Sequence, residues 1–412
     1  MGKWVKERLD KIMEVNPKSD CLPSEFIYID LESVKQGRLL QQKIVGKDDA
    51  PSRAQRTLKP KDVLFQLVRP YQQNNYYFEP HDERDYVAST GYAVLRTDQD
   101  SKFCYFLLHR NEFQNRVEAL CTGTGYPAIT PKELSRIDIC HPVSLDEQRH
   151  IAEILTTCDE VIEKNEAVVE KYRVIKAGML KDLFTRGIGK NGKLRPPPES
   201  APQLYKDTAL GKVPREWEIK NLGEIGRFVA GNGFPLQYQG RKDGQYPFFK
   251  VSDFNGWANT NVMSIANHYV SDDVVRILGC NVIPARSIVF AKIGAAIMLE
   301  RKRMVAVASC IDNNMMSLQV DGANDSLVLH FLQNYKFSDL VEATALPALK
   351  TTSLKKICLA IPRDPAEQQQ IADRLSAIDA KIADELAVIA KYRKVKAGLM
   401  ARLLTPLDME VE

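Results

Sequence analysis

Two stretches of this chain decide its fold: EQRHIAEILTTCDEVIEKNEAVVEKYRVIKAGML at 147–180 and EQQQIADRLSAIDAKIADELAVIAKYRKVKAGLM at 367–400. At the shift of 220 residues that relates them, positions 127–185 and 347–405 are identical at 22 of 59 sites without a gap. Chance would give only a handful, so the chain contains an internal duplication. The parts at 13–126 and 226–346 resemble each other little. The organisation is therefore variable, constant, variable, constant.

Each constant segment has the apolar spacing of a long helix. Apolar side chains recur at alternating intervals of four and three residues, which is the period of a coiled coil. Ser144 lies three residues before Glu147 in a capping-box pattern, and Asp364 precedes Pro365 at the start of the second copy. We expect two helices of about 40 residues, roughly 60 Å each. The residues predicted to pack helix on helix are Ile151, Leu155, Ile162, Tyr172, Met179, Leu183, Ile371, Leu375, Ile382, Tyr392, Leu399 and Leu403.

Polar residues interrupt both apolar seams at matched places. Asn165 corresponds to Glu385, and Lys176 corresponds to Lys396. Polar residues at such positions can set the register of a coiled coil at some cost in stability. Two copies in one chain can bury their seams against each other, and the domain that separates them along the chain favours an antiparallel arrangement.

The fold class predicted from these patterns is mixed α/β, with two globular domains separated by a pair of antiparallel helices and an internal pseudo-twofold repeat. Strand-like runs at 63–68 and 287–293 indicate the mixed domains, and the Gly- and Pro-rich segment 187–214 predicts a flexible linker. The expected division is a first domain at 1–143, a first spacer helix at 144–186, the linker at 187–214, a second domain at 215–363, a second spacer helix at 364–405 and a tail at 406–412.

Composition excludes several classes of protein. Hydrophobic content of 44% and charged content of 27% are typical of a globular chain, and no apolar run reaches the roughly 18–20 residues of a membrane helix. The eight cysteines form no CxxC pair, and the six histidines have no metal-ligand spacing. We therefore expect a cytoplasmic protein that has no membrane partner and binds neither a metal nor a cofactor itself.

Glycine motifs fail on their context. The segment 187–192 matches GxGxxG, but it follows a helix and runs into prolines, whereas a dinucleotide fingerprint follows a strand and opens a helix. The glycine turns at 123–125 and 231–233 lack an accompanying methylation motif, and Asp272-Asp273 lacks the flanking pattern of a nuclease. The sequence thus gives no catalytic residue.

Local basic clusters on a chain of net charge +4 favour a polyanionic partner. Residues 35–70 hold nine basic and three acidic residues, and a second cluster includes Arg286, Lys292 and residues 301–303. Arg and Lys can bridge guanine acceptors, and Asn and Gln can pair with the adenine edge. The candidate DNA-contacting residues are Arg53, Arg56, Gln66, Arg69, Gln72, Gln73, Asn74, Asn75, Asn232, Lys250, Ser252, Asn255, Arg286, Lys292, Asn313 and Asn314.

At this point the chain resembles the specificity subunits of type I restriction–modification systems. The resemblance rests on the helices that open EQxxIA at 147 and 367 and end near KAG, and on the stretch from Tyr205-Lys206-Asp207 to Gly211-Lys212-Val213-Pro214-Arg215-Glu216-Trp217. Segments at 54–56 and 63–70 also resemble recognition domains of this family. Lys61-Asp62 departs from the family's common Gly-Asp turn.

The resemblance implies a non-catalytic DNA-reading subunit. Each variable domain would read one half of a bipartite, asymmetric site on double-stranded DNA. The constant helices would dock two methyltransferase subunits that methylate adenine N6, and restriction/translocase subunits would join them. S-adenosylmethionine, ATP and Mg²⁺ would then bind to the partners. Two alternatives stay open: a coiled-coil scaffold for proteins only, and a methyltransferase or nuclease.

Overall fold

The computed structural model describes residues 3–123, 125–256, 259–341 and 346–406. The predicted tail beyond 406 and Thr124 lie outside these ranges. The chain divides into two compact units. Unit 1 comprises Met1–Glu166 with Val388–Glu412, and unit 2 comprises Ala167–Ala387. Each unit therefore joins one variable part of the sequence to part of both constant segments.

The elements of unit 1 are mostly short strands. They are β1 (Trp4–Arg8), α1 (Leu9–Ile12), β2 (Glu14–Val15), β3 (Glu25–Ile29), β4 (Val34–Lys35), β5 (Arg38–Leu39), β6 (Lys43–Gly46), β7 (Ala54–Thr57), β8 (Val63–Gln66), β9 (Tyr76–Tyr77), β10 (Tyr86–Ser89), β11 (Tyr92–Arg96), α2 (Ser101–Leu107), α3 (Asn111–Leu120), α4 (Pro131–Ser135) and β12 (Asp138–Pro142). The long helix α5 (Leu145–Thr185) begins in this unit and continues into unit 2.

Unit 2 has a similar mixture. Its elements are β13 (Tyr205–Thr208), β14 (Gly211–Pro214), β15 (Trp217–Asn221), β16 (Gly226–Ala230), β17 (Tyr246–Phe249), β18 (Val262–Met263), β19 (Tyr269–Val270), α6 (Asp272–Leu278), β20 (Ile288–Ala291), β21 (Lys302–Val305), β22 (Cys310–Ile311), β23 (Met315–Val320), α7 (Asp325–Asn334), α8 (Thr351–Lys355) and β24 (Cys358–Pro362). Helix α9 (Pro365–Leu403) begins here and ends in unit 1. The molecule is thus a mixed α/β protein with two long helices.

The helix starts follow the sequence signals with one difference. The Ser144 hydroxyl accepts a hydrogen bond from the amide of Glu147 at 3.3 Å, as a capping box requires. Asp364 instead caps the amide of Ala366 at 2.9 Å. The carboxylate of Glu367 turns away from this cap, because it bonds with Arg195, Ile188 and Trp217 elsewhere in unit 2.

Within each unit the two long helices run antiparallel. In unit 1, Asp159 pairs with Lys396 and Glu166 pairs with Arg393, so residues later in α5 contact residues earlier in α9. In unit 2, Lys176 bonds Asp379 at 2.6 Å, and the Lys381 ammonium lies over the Tyr172 ring. The residues of the predicted seam are all buried or half-buried. Those nearest the helix ends pack into the cores of the units.

An antiparallel strand pair ties the beginning of each variable part to its end. Trp4 in β1 is opposite Pro142 in β12, and Trp217 in β15 is opposite Pro362 in β24. After each pair the chain makes the same next contact: the Leu9 amide donates to the Ile137 carbonyl in unit 1, and the Leu222 amide donates to the Ile357 carbonyl in unit 2, both at 2.9 Å. The matching starts in the sequence therefore reflect one shared structural device.

The sheets of the two units also correspond, although their sequences do not. In unit 1 the strand orders are β6-β3-β10-β7 and β2-β11-β8-β9, and in unit 2 they are β16-β23-β20-β21-β18 and β19-β17-β22. The buried strand β8 pairs antiparallel with β11 just as β20 pairs with β23, and β3–β10 matches β17–β22 as a parallel pair. Alignment of these pairs relates residue 63 to residue 288, a shift of 225.

The segment 187–214 is folded, and the expectation of a flexible linker is wrong. Gly187 ends α5 with a left-handed φ of 63°, and a side chain there would collide with Glu367 and Trp217. Arg195 donates to both oxygens of the Glu367 carboxylate, at 2.5 and 2.9 Å, and both side chains are buried. The hairpin β13–β14 follows. Two-point ionic contact and the close approach at Gly187 fix this segment to unit 2.

No helix within the described ranges is long and apolar enough to cross a membrane.

Candidate nucleic-acid interface

In unit 1, four chain segments meet where β8 and β10 end. We call this place the unit 1 strand-end edge and define it by residues 53, 67–72, 89–91 and 125–129. The Leu67 amide bonds the Gly91 carbonyl at 2.9 Å, the Arg69 amide bonds the Pro127 carbonyl at 2.7 Å, and the Thr90 amide bonds the Arg53 carbonyl at 2.9 Å. The fold thus brings together Arg53, Arg69 and Gln72 from the predicted set.

Two arginines at or beside this edge each have a buried guanidinium nitrogen whose hydrogen-bonding capacity is unused within the described ranges. Over the ranges that the structure describes, the Nε atoms of Arg56 and Arg69 are buried without a hydrogen-bond partner. Burial lowers the pKa of Arg56, because a charged guanidinium is less well solvated there. Arg56 lies on β7 opposite Ala88 of β10. An anion at this edge would offset the desolvation of both guanidinium groups.

Three side-chain amides of the predicted set, those of Gln66, Asn74 and Asn75, make hydrogen bonds that hold the loop beside the edge. Gln66 and Asn75 are buried: the Gln66 Nε2 donates to the Val68 carbonyl at 2.8 Å and to Gln72, while its Oε1 accepts from the Asn74 amide. The Asn75 Oδ1 accepts from the Gln66 amide at 2.9 Å. The expectation that these two side chains contact bases is corrected, because their hydrogen-bonding capacity holds the 66–75 loop. Asn74 accepts from the Gln36 amide, and Gln73 has a left-handed φ of 51° that reverses the chain.

The unit 2 strand-end edge is built in the same way, and we define it by residues 232, 250, 292–294, 312–314 and 346–349. Asp312 follows β22, and its backbone amide donates a hydrogen bond to the carbonyl of Phe249, the residue before Lys250, at 3.0 Å. The Lys292 amide bonds the Asn314 carbonyl at 2.8 Å, and Asn232 bridges to Asp312. Five predicted residues therefore meet here: Asn232, Lys250, Lys292, Asn313 and Asn314.

The remaining predicted residues of unit 2 lie elsewhere or are partly engaged. Arg286 precedes β20, whereas Lys292 follows it, and the Arg286 guanidinium pairs with Asp325. Ser252 and Asn255 lie in a short turn after β17, with Asn255 accepting from Arg301. Lys302, from the basic cluster, is buried against Glu300, so it contributes no surface charge. The structure does not bring Arg286 to the edge.

Sequence reasoning missed two residues at these edges. Tyr126 and Leu346 are large apolar side chains that stand in solvent, 69% and 67% exposed. Each immediately precedes the Pro-Ala pair that the duplication repeats, at 127 and 347. That position was the signal in the sequence that could have found them. A large apolar residue stands before the repeated Pro-Ala pair in both copies, although the segments before it are otherwise unlike.

Potential metal ligands at both edges belong to the residues whose positions the structure describes. Among the residues with described positions, no group of three or more His, Cys, Asp or Glu side chains is placed to hold a metal ion. What both edges share is cationic and amide side chains at the end of a buried strand. The fold and the edges together define a protein with two equivalent surfaces suited to a polyanion.

The comparisons with known proteins identify the family. The model of the type I restriction modification DNA specificity domain matches residues 52–171 and 214–390. The chain belongs to this family, and it is a DNA-recognition protein of the type I restriction–modification specificity class.

Individual relatives agree with this assignment. The MjaIX specificity subunit of Methanocaldococcus jannaschii is 20% identical over 74% of this chain and 68% of its own length. The MjaVIII specificity subunit of the same organism is 25% identical over 69% of this chain and 65% of its own length. The chain thus spans about two thirds of these curated relatives. The crystal structure of an S subunit from M. genitalium covers 99% of this chain and 97% of its own, with a TM-score of 0.60 at 15% identity, which supports the fold.

Proposed function

We propose that this chain is the sequence-reading subunit of a type I restriction–modification complex, in which each unit reads one half of a bipartite, asymmetric DNA target. The observation that carries the proposal is the pair of strand-end edges. They occupy equivalent places in two equivalent sheets, yet they present different side chains: Arg53, Arg69 and Gln72 in unit 1, and Lys250, Lys292 and Asn313 in unit 2. Equivalent surfaces with unlike chemistry are suited to two different half-sites.

The same proposal assigns the duplicated helices to partner docking. The densest identity between the copies, KYR at 171 and 391 with KAG at 176 and 396, faces solvent at most of its positions. Lys171, Arg173, Ala177 and Gly178 are exposed, and so are their identical counterparts at 391, 393, 397 and 398. Identity at exposed positions is not needed for a buried seam, whereas two identical surfaces can bind two copies of one partner. We propose that the partners are two methyltransferase subunits, joined by restriction/translocase subunits.

We further propose that the helices form one antiparallel coiled coil related by a pseudo-twofold, with the domain boundaries inferred from the sequence. The ion pairs support this arrangement. Lys176–Asp379 in unit 2 and Lys396–Asp159 in unit 1 exchange their roles under the 220-residue shift. A helix of 41 residues is roughly 60 Å long, ample to space two half-sites about one turn of DNA apart.

In this proposal catalysis belongs to the partners, which would hold S-adenosylmethionine, ATP and Mg²⁺. The purified chain should transfer no methyl group from labelled S-adenosylmethionine to mixed DNA, and addition of methyltransferase partners should start transfer. Incorporation by the chain alone would contradict the proposal.

The central test is selection from a random duplex library by the full chain at low ionic strength. We expect a motif with two unlike specific parts and a nonspecific spacer. Exchange of residues 13–126 for the corresponding part of another family member should change one part and leave the other. A chain that binds no duplex, or an exchange that changes both parts or neither, would refute the modular reading.

A further inference from the structure

Tyr126 and Leu346 occupy the same place in two sheets that share no detectable sequence pattern. In unit 1 the segment 127–129 lies against the residues after β8, and in unit 2 the segment 347–349 lies against the residues after β20. The isolated bridges Val68–Ala128 and Ile293–Ala348 correspond, since Val68 matches Ile293 under the 225-residue shift of the strands and Ala128 matches Ala348 under the 220-residue shift of the duplication. We call these two exposed side chains the edge tips.

Paired backbone hydrogen bonds anchor the segment that directly follows each edge tip. In unit 1 the Arg69 amide donates to the Pro127 carbonyl at 2.7 Å, and the Ile129 amide donates to the Leu67 carbonyl at 3.0 Å. In unit 2 the Gly294 amide donates to the Pro347 carbonyl at 2.8 Å, and the Leu349 amide donates to the Lys292 carbonyl at 2.9 Å. A proline directly after each tip further restricts its backbone.

The residue beneath each tip is also equivalent. Arg69 has a left-handed φ of 54°, and its guanidinium carbon lies 4.2 Å from the centre of the Tyr126 ring. Gly294, the corresponding residue, has φ of 82°, and a Cβ atom placed on it would be 3.9 Å from Leu346 Cδ1. Both residues have a positive φ, but ψ is 52° at Arg69 and −174° at Gly294, so only Arg69 adopts the left-handed helical conformation.

The surroundings of the tips indicate the ligand. A single exposed apolar residue is ordinary on a protein surface. Here the same exposed position recurs, within an edge that also exposes cations and amides, such as Arg53 in unit 1 and Asn313 in unit 2. The unit 1 edge exposes one more aromatic side chain, Tyr71, which is 52% exposed. A polyanion that also offers apolar planar faces matches this combination, and stacked DNA bases are such faces.

We propose that Tyr126 and Leu346 are DNA wedges, each of which inserts against one base step of its half-site and partly unstacks it. This inference rests on the proposed DNA-reading function. Apolar side chains that enter between base steps bend the duplex. Because pyrimidine–purine steps unstack most readily, each wedge would add a preference for such a step at a position that no hydrogen bond reads.

The test uses the full chain and the duplex found by selection, with 2-aminopurine placed in turn at each adenine of both half-sites. We expect binding to raise the fluorescence at one step per half-site. Tyr126→Ala should abolish the fluorescence rise in one half-site, the one whose sequence changes when residues 13–126 are exchanged. Leu346→Ala should abolish the rise in the other half-site. Each variant should bind about tenfold more weakly or worse, which is the scale of lost base stacking.

Two features separate a wedge from a general loss of structure. The dependence of affinity on salt should be unchanged in both variants, because neither tip contacts a phosphate. Leu40→Ala in unit 1 and Leu236→Ala in unit 2 remove comparably exposed apolar side chains, 59% and 84% exposed, and should bind like the wild type. Tyr126→Phe should retain the fluorescence signal, since a wedge needs the ring and not the hydroxyl.

The outcomes are distinct for the two proposals. If the wild-type chain selects no duplex, the DNA-reading function itself fails. If it binds specifically but no adenine becomes brighter, or the tip variants keep the signal and the affinity, the wedge is refuted while sequence reading stands. Loss of signal in the same half-site by both variants would also overturn the inference.

Discussion

The ion pair between the long helices of unit 2 allows a quantitative test by the change Lys176→Met. The Lys176 ammonium lies 2.6 Å from Asp379 Oδ1, with the two side chains only 18% and 12% exposed. His330 of α7 completes the group, with its Nδ1 3.6 Å from Asp379 Oδ2 and its Nε2 3.1 Å from the Ser376 hydroxyl. Methionine keeps the length of the lysine stem and removes the charge, so the Asp379 carboxylate loses its closest cation.

The magnitude follows from burial and from His330. Removal of one partner from a buried pair costs about 3–5 kcal/mol in the free energy of unfolding. Desolvation, helped by the charge of Lys176, lowers the pKa of His330 to about 4, against an ordinary value of 6.5. In the wild type the unfolded state therefore binds more protons between these values, and stability falls as pH falls from about 6.5 towards 4. That loss amounts to about 3 kcal/mol when complete.

In the variant the repulsion from Lys176 is gone and Asp379 remains, so the pKa of His330 should rise. Protonated His330 then replaces the lost cation. We expect the cost of Lys176→Met to be largest above the ordinary histidine pKa and to shrink by about half on acidification to roughly pH 5, as His330 becomes charged. The pH dependence of stability in the variant should be flatter than in the wild type.

The assay is urea unfolding of the full chain, followed by tryptophan fluorescence in a Trp4→Phe background. In this background Trp217, which is buried in the core of unit 2, reports on that unit. The duplication supplies the matched control, Lys396→Met in unit 1, which is followed by far-UV circular dichroism because the background removes Trp4 from that unit. The partner of Lys396, Asp159, is 42% exposed, so this variant should lose only about 1 kcal/mol. A cost below about 0.5 kcal/mol for Lys176→Met, or parallel pH profiles, would refute the buried-pair reasoning.

Three further changes have expected outcomes. Lys61 holds a left-handed φ of 74°, so Lys61→Gly should raise the unfolding free energy by about 1 kcal/mol in thermal melts, and a lower melting temperature would contradict this. Gln66→Ala should lower the free energy of unfolding by about 1–3 kcal/mol and speed proteolysis of the 66–75 loop. The base preference at each position of the selected motif should stay the same, and a changed motif would show that Gln66 contacts a base directly. Arg195→Met should cost about 3–5 kcal/mol and expose 187–204 to protease, because Glu367 loses its buried partner; unchanged cleavage would show that other contacts hold the segment.

The sequence predicted the long helices well because their signal is local. Each signal involves residues that are close together in the sequence. The signals are the apolar period of four and three residues, Ser144 before the first helix and Gly187 after it. The helix bounds of 145–185 and 365–403 lie within two residues of the expected ones. The prediction failed just beyond, at 187–214, because glycine and proline content does not reveal a buried Arg195–Glu367 pair formed across 172 residues.

Candidate contact residues were harder to predict, because side-chain chemistry does not report burial. Gln66 and Arg53 are equally able to bond a base edge, but one lies inside a strand and the other in an exposed turn. Lys292 and Asn314 could be assigned to one edge only once the pairing of β20 with β23 was known. Tyr126 and Leu346 were missed because large apolar residues are usually assigned to the core, and the sequence alone does not show that these two are exposed.

The order in which the chain is synthesised has a consequence for unit 1. This unit needs residues 388–403, which are synthesised after all of unit 2, which is continuous from 167 to 387. The half encoded first therefore cannot complete its core until the whole of unit 2 has been synthesised, and the half encoded second can fold ahead of it. A nascent chain stalled before residue 388 would hold a finished second unit beside an unfinished first one, with Ile151 and Leu155 lacking the Leu399 and Leu403 that pack against their core.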